Sequence, residues 1–492
     1  MTTSDNKNGK SRLEQIAHRV MQENGFLADF STAVLDELSK IQNITAGSLM
    51  IKKDLRQLLW ASIDNDDSKD LDQLTVAEVL PGNSIKIYVA VADVDNLVKK
   101  NSAIDQHAHQ NTTSIYTAGK TFPMLPENLS TNLTSLNYQE DRPAIIIEMT
   151  VSDSGDIQGS DIYPATVRNH AKLAYNAVAA WLDGKNPEPD NVIKVDPSLA
   201  DNLRVQDKVA QKLRAKRHLS GALELQTLEA RPIFDGDEIK DLQVDETNRA
   251  KEIIEDFMIA ANDITALFLK SKQIPSLRRI VRTPKRWDRI VEIVKQNNFQ
   301  LPADPDSKAL ADFLVKQKAT DPLRFPDLCL VIIKLLGSGE YVVELPGETS
   351  PGHFGLAVKD YTHSTAPNRR FPDLITQRIL KSALNTTQMP YSLTDLTELA
   401  SHCTQKEDDA NKVERQVAKS AAAMLLSSRI NSQFDAICTG AGDHGTWVRI
   451  FQPPVEGRLF SGFEGIDVGN KLKVKLVHVD IDKGFIDFEK VL

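Results

Sequence analysis

The chain has 492 residues, a net charge of −9 and 26% charged residues of both signs, which suits a globular protein of several domains and excludes a disordered or fibrous one. Its three cysteines form no CxxC pair, which argues against a disulfide framework or a structural zinc site. The strongest apolar run, 328–336, is broken by Lys334 and falls well short of the ~20 residues a membrane helix needs. The polar start MTTSDNKNGKSR lacks a secretory pattern, so a soluble protein of the reducing cytoplasm is expected.

Residues 1–10 read as disordered. Two short helices are predicted over 12–23 and 31–40, parted by Asn24-Gly25, with Ser31 as an N-cap. Residues 85–92 (IKIYVAVA) read as a buried strand behind the turn Pro81-Gly82-Asn83, and 144–151 (AIIIEMTV) as a second strand. Helical spacing follows at 252–270, 286–296, 308–317 and 373–385, and a long amphipathic helix is predicted from 412 to 431. After Phe434 the apolar runs are short (447–450, 472–476 and 485–488) and glycines separate them. That pattern fits a small antiparallel barrel of roughly 60 residues.

Net negative charge counts against a phosphate-binding surface. Two basic stretches stand against it: Lys208, Lys212, Arg214, Lys216 and Arg217, then Lys270, Lys272, Arg278, Arg279, Arg282, Lys285, Arg286 and Arg289. A solvated helix face is the plain reading of each.

The densest chemistry is acidic. Asp64, Asp66, Asp67, Asp70 and Asp72 fall within nine residues of SIDNDDSKDLDQ. A calcium loop fails on detail, because Lys69 stands at the sixth position and Thr75 at the twelfth. Two readings stay open: a solvated acidic loop, and a magnesium site for phosphate-ester cleavage. In the second, alternation about Leu71 would turn Asp70 and Asp72 the same way.

The cluster has company in chain order. Asp54-Leu-Arg56 precedes it and VAVADV (89–94) follows. Then come TSIY (113–116), FPMLPENLS (122–130), DFMIAAN (256–262), HFGLA (353–357) and YTHSTAPNRRFPDL (361–374). Over about residues 51–430 this series resembles the catalytic domain of the ribonuclease II and ribonuclease R family, and the tail resembles the OB-fold module that ends those enzymes.

The resemblance implies an α+β fold in three parts. These are a short helical N-terminal segment (1–50), an RNB-type catalytic domain with a mixed sheet packed by helices (51–430), and a five-stranded OB-fold RNA-binding barrel (431–492). It also implies a magnesium-dependent, hydrolytic 3′→5′ exoribonuclease acting on single-stranded RNA 3′ ends and releasing 5′-mononucleotides. Asp64, Asp70 and Asp72 match the family motif D-x5-D-x-D-D, with Gln73 where a fourth aspartate is usual; Asp72 and Arg369 would carry catalysis. Tyr116 and Tyr175 match aromatic contacts to the strand, Glu255 a contact to ribose hydroxyls, and Arg369 a contact to phosphate. Arg370 would be structural or touch the RNA backbone. Leu225 stands where the family places a second clamping aromatic, and His363 reads as packing. The two cold-shock domains usual ahead of the catalytic domain have no room within the first 50 residues. The alternatives are an RNA-binding protein of this fold with weakened or lost catalysis, for which Gln73 and Leu225 speak, and a nuclease specialised for trimming structured RNA tails. No protein partner can be named.

Overall fold

The computed structural model describes residues 9–41, 53–185, 197–226, 229–245, 247–322, 324–348, 350–442 and 445–491. The disorder expected for residues 1–10 lies, except for Gly9 and Lys10, outside these. Nine strands form the centre: β1 (Lys53–Asp54), β2 (Ala61–Asp64), β3 (Gln73–Val79), β4 (Ile85–Ala92), β5 (Ile115–Tyr116), β6 (Thr121–Phe122), β7 (Asp141–Val151), β8 (Ile157–Arg168) and β9 (Ala171–Ala174). Seven of them make one mixed sheet in the order β1-β8-β7-β4-β3-β2-β9. It is parallel at the two margins, β1–β8 and β2–β9, and antiparallel between. β5 and β6 form a separate hairpin.

The apolar runs of β4 and β7 have a physical cause: helices cover the sheet, so neither face of its middle strands can be polar. Val89, Ile146 and Met149 are fully buried. Helices Pro197–Leu219 and Arg249–Ser271 pack on the sheet, and Leu374, Ile375 and Ile379 of helix Phe371–Asn385 join the same core. Helix Arg249–Ser271 buries Ile253, Phe257, Ala261 and Ile264 along one stripe, and its Asn248 N-cap accepts from the Ala250 and Lys251 N–H groups. The helices expected near 286–296 and 308–317 are Trp287–Gln296 and Ser307–Thr320. Ser31 caps Thr32–Lys40 as expected.

One helix departs from expectation. Instead of spanning 412–431, it runs Leu393–Leu426 and opens with a capping box between Ser392 and Asp395. Much of the buried stripe of its first half is Ala400, Cys403, Lys406 and Ala410, residues too small or too polar to stand out as a hydrophobic period. The tail forms a closed five-stranded barrel of Gln433–Gly442, Gly445–Ile450, Val455–Ser461, Lys471–Asp480 and Phe485–Lys490. Its core includes Phe434, Val448, Val474 and Phe488. Among the described residues no helix is long and apolar enough to cross a membrane.

Candidate active site

The acidic loop lies between β2 and β3, so Asp64 ends one strand and Asp72 stands at the threshold of the next. Two residues fix its course. The Ser135 hydroxyl donates to the Lys69 carbonyl (2.9 Å) and accepts from the Leu71 N–H (2.9 Å). The Ala92 N–H donates to the Asp72 carbonyl (2.9 Å), extending the β3–β4 ladder by one residue. Strand alternation then sends Asp72 and Gln73 to opposite faces. Gln73 shares its face with Thr75, whose hydroxyl bonds Gln206 of helix Pro197–Leu219 (2.7 Å).

Asp72 meets the turn 366–370 from the far end of the chain. Its Oδ1 accepts the Asn368 N–H (3.0 Å), and its Oδ2 lies 3.3 Å from Arg369 Nε. That turn is stapled from within. Asp373 Oδ1 accepts from the Ala366 N–H (2.9 Å) and from Arg370 Nη2 (2.8 Å). The Arg369 carbonyl accepts from the Ser114 N–H (2.9 Å) and the Thr113 hydroxyl (3.1 Å). Arg370 is thus turned inward as scaffold, while Arg369 keeps 41% of its side chain exposed.

Asp72 meets the guanidinium directly, and its positive charge also acts on Asp64 and Asp70. Burial pushes the Asp72 carboxyl up to about 7, against the pull of Arg369 and with a push from Asp70. Burial also raises Asp64 and Asp70, each opposed by hydrogen bonding and by Arg369. Asp64 Oδ1 accepts the Asn65 N–H (2.8 Å). The site therefore carries more negative charge than its own residues neutralise, in hard oxygen donors, and this donor chemistry fits a divalent cation such as magnesium. Among the described residues, however, no three acidic, histidine or cysteine side chains are gathered closely enough to hold an ion together. A cation would have to draw the aspartates in.

Two tyrosines frame the carboxylates. The Tyr116 hydroxyl donates to Asp70 Oδ2 (3.4 Å), and its ring is half exposed. Tyr175, at the start of helix Tyr175–Leu182, has its hydroxyl raised by burial and then by Asp64, with Arg369 opposing. Beside it a cavity of ≈ 650 Å³ is lined by Asn65, Asp67, Tyr175, Asn176, Lys185 and Asn248 among others. A second cavity, ≈ 580 Å³, lies between strand Glu340–Glu344 and helix Leu393–Leu426, away from the acidic loop.

Asp64, Asp70, Asp72, Arg369, Tyr116 and Tyr175 thus come together. The contacts of two other expected residues lie elsewhere. Glu255 Oε2 is held by Arg214 (2.8 Å), which also pairs with Glu252 and Asp256. Leu225 packs against the cluster of Trp287, Phe313 and Phe325. His363 is buried beside Tyr341, whose hydroxyl lies 2.7 Å from its Nδ1. Sequence reading passed over Ser135 and Asn368. Asn368 lies inside the PNRRFPDL block, but its contribution is a backbone N–H, which no residue type announces.

Comparison with known proteins extends this picture. Residues 52–386 match the RNB domain, and residues 432–491 match the RNase II-type exonuclease C-terminal S1 domain. Ribonuclease R of Aquifex aeolicus is 28% identical, covering 93% of this chain and 68% of that protein. Ribonuclease R of Escherichia coli is 29% identical over 89% of this chain and 57% of that protein, so the chain spans little more than half of the latter. Among solved structures, Mycoplasma genitalium RNase R in complex with ribose methylated single-stranded RNA has a TM-score of 0.87 at 23% identity, covering 99% of this chain and 78% of that one. Yeast Ssd1, a pseudonuclease, has a TM-score of 0.71 at 16% identity, over 91% and 55%; likeness at these identities speaks for the fold alone. With two thirds of its length matched by the RNB domain and its tail by the S1 domain, the chain belongs to the RNB-domain family of ribonuclease II and ribonuclease R.

Proposed function

We propose that this protein is a magnesium-dependent, hydrolytic 3′→5′ exoribonuclease that shortens single-stranded RNA ends to 5′-mononucleotides. The observation that carries the reading is the meeting of the acidic loop with the turn 366–370, where Asp72 accepts the Asn368 N–H and lies 3.3 Å from Arg369 Nε, while the Tyr116 hydroxyl bonds Asp70. Asp64, Asp70 and Asp72 would hold magnesium; Gln73, expected from sequence to join them, is turned to the opposite face of the strand from Asp72 and would stand outside that set. When bound, magnesium supplies positive charge against the phosphate and lowers the pKa of water.

The protein's own groups do the rest. Tyr116 offers an exposed ring face on which any base can stack, a contact worth ~1–3 kcal/mol and indifferent to sequence. Arg369 reaches Asp72 through Nε, which leaves its Nη groups for the non-bridging phosphate oxygens, where charge grows in the transition state. Asp72 Oδ1 accepts the Asn368 N–H and Oδ2 faces Arg369 Nε, so the lone pair of Oδ2 that Arg369 leaves open would orient the attacking water and take its proton. Water would add to phosphorus as Asp72 takes its proton, the P–O3′ bond would break, and the departing 3′-oxygen would take up a proton from solvent, leaving the shortened strand with a 3′-hydroxyl. Glu255 would read ribose hydroxyls only by sharing its carboxylate with Arg214. The buried free cysteines support a reducing compartment, the cytoplasm.

The test is incubation of 5′-labelled RNA carrying a free 3′ end, with magnesium or with EDTA. Stepwise shortening in magnesium alone is expected; an intact substrate with folded protein would sink the proposal. Gln73 favours one rival, an RNA-binding protein with weakened catalysis. Tight RNA binding without mononucleotide release, unaltered by Asp72→Asn, would establish that rival instead.

A further inference from the structure

The helix Gly9–Glu23 closes a hydrophobic cluster with the hairpin that carries Tyr116. Its Leu13, Ile16 and Val20 pack with Ile115 of β5, Phe122 of β6 and Val413 of helix Leu393–Leu426. At the hairpin turn the two backbones touch. A Cβ on Gly119 would lie 2.7 Å from the Leu13 carbonyl carbon and 2.8 Å from the Glu14 nitrogen, so only glycine fits there without displacement. The hairpin is also held by helix Leu393–Leu426, where Glu414 Oε1 accepts the Tyr116 N–H at 2.8 Å.

These two anchors have a consequence set by strand geometry. Successive side chains of β5 point to opposite sides. Ile115 is driven fully into the cluster, and Tyr116 emerges toward Asp70. A strand of two residues has little stiffness of its own, so its neighbours decide where the tyrosine points. The same helix is fastened to the barrel, since Arg12 bonds both carboxylate oxygens of Asp482 (3.2 and 3.1 Å) and Arg19 bonds its carbonyl (2.6 Å).

We infer that helix Gly9–Glu23 and Glu414 are positioning elements for Tyr116, setting its ring and hydroxyl against Asp70 through the Gly119 contact and the Tyr116 N–H. The enzymatic readout of this inference rests on the exoribonuclease reading; its binding readout requires only that the protein bind RNA.

The experiment compares full-length wild type with Gly119→Ala, Glu414→Ala, Glu414→Gln, Tyr116→Ala and the double variants of Tyr116→Ala with each of the other three. Gly119→Ala and Glu414→Ala are each expected to lower kcat/KM on single-stranded RNA by roughly tenfold or more, within the ~10²-fold that a 1 Å misplacement can cost. Glu414→Gln, whose carboxamide oxygen still accepts the N–H, should stay within about twofold of wild type. In the Tyr116→Ala background Gly119→Ala and Glu414→Ala should each cost less than about twofold, because the residue they position is gone. Undiminished losses in that background would overturn the inference, as would wild-type kcat/KM in Gly119→Ala and Glu414→Ala. Should Gly119→Ala fail to fold, the Glu414 variants in the two backgrounds decide. The same proteins are titrated with fluorescent RNA. If wild type releases no nucleotide, the exoribonuclease reading fails by itself, and the same cycle in RNA affinity decides the positioning role.

Discussion

Replacing Asp72 by Asn should stabilise the metal-free protein near neutral pH while removing its activity in magnesium. Asp72 is 2% exposed, and burial pushes its carboxyl up to about 7 from an ordinary 3.8. Between those values the folded protein holds a proton that the unfolded chain has released. Stability therefore falls as pH rises through this window, and the loss is complete above the folded pKa. The gap corresponds to at most ~4 kcal/mol. Some of that gain is returned in the variant, since Asn cannot accept from Arg369 on the amide side, although its Oδ1 can still accept the Asn368 N–H. The assay is urea unfolding in EDTA at about pH 5 and about pH 8, on either side of the folded pKa. The variant's midpoint should exceed that of wild type, by more at the higher pH. Added magnesium should raise the midpoint of wild type and leave that of Asp72→Asn nearly unmoved. A variant less stable than wild type in EDTA at the higher pH would refute the account of Asp72 as a strained, uncompensated carboxylate.

Three further outcomes follow from the same geometry. Arg369→Ala should lower kcat by about 10²–10³, the cost of removing one donor aimed at developing charge. Arg369→Lys should recover only part of it, because a point charge cannot serve Asp72 and a phosphate as a fork does; a loss confined to KM in single-turnover assays would speak against the role. Gln73→Asp should leave the magnesium concentration for half-maximal activity within about twofold of wild type, because strand alternation turns this position to the opposite face from Asp72. A severalfold lower value would mean that the added carboxylate reaches the cation as a ligand. Finally, the logarithm of the association constant for single-stranded RNA should fall only weakly with the logarithm of salt concentration, with a slope no steeper than about −2, corresponding to roughly three neutralised phosphates; an anisotropy titration across potassium chloride giving a slope steeper than about −5, or roughly seven phosphates, would refute the reading of a locally held strand.

The parts of the fold that could be read from sequence are those where burial writes a simple pattern. β4 and β7 are covered on both faces and so became continuous apolar runs, and helix Arg249–Ser271 carries large apolar residues at helical spacing. Helix Leu393–Leu426 was half hidden because alanine, cysteine and lysine fill much of its early buried stripe. The hairpin Glu229–Asp235 with Glu238–Asp245 was passed over although Asp235-Gly236 is a strong turn signal, with Gly236 at φ 61°. In the site, the aspartates and Arg369 were readable through their motifs. The Ser135 and Asn368 contacts were not, because they join positions 64 and 296 residues apart and depend on backbone groups. Nor did spacing reveal that Glu255 would be committed to Arg214, since that ion pair exists only once two helices have packed.

Charge shows most clearly why composition is a poor guide here. The two basic stretches supplied thirteen candidates for phosphate contact, and nine of them are engaged in ion pairs. Arg214 and Arg217 are spent on Asp256, Lys212 and Lys216 on Asp153 and Asp156, and Lys270 on Asp360. Arg278 is buried against Glu344, while Arg279, Arg282 and Arg289 hold Glu407, Glu340 and Asp467. An acidic protein whose two basic stretches are mostly engaged in ion pairs offers RNA little uncommitted positive charge there. On the proposed reading what remains is local: an exposed tyrosine on which bases would stack without regard to sequence, and one half-exposed arginine among aspartates that would take a cation. Such a site favours a strand already brought to the acidic loop over RNA lying elsewhere on the surface. Discrimination then rests on where Tyr116 and Arg369 are held, which is the work of Glu414, Gly119, Asp373 and the turn 366–370.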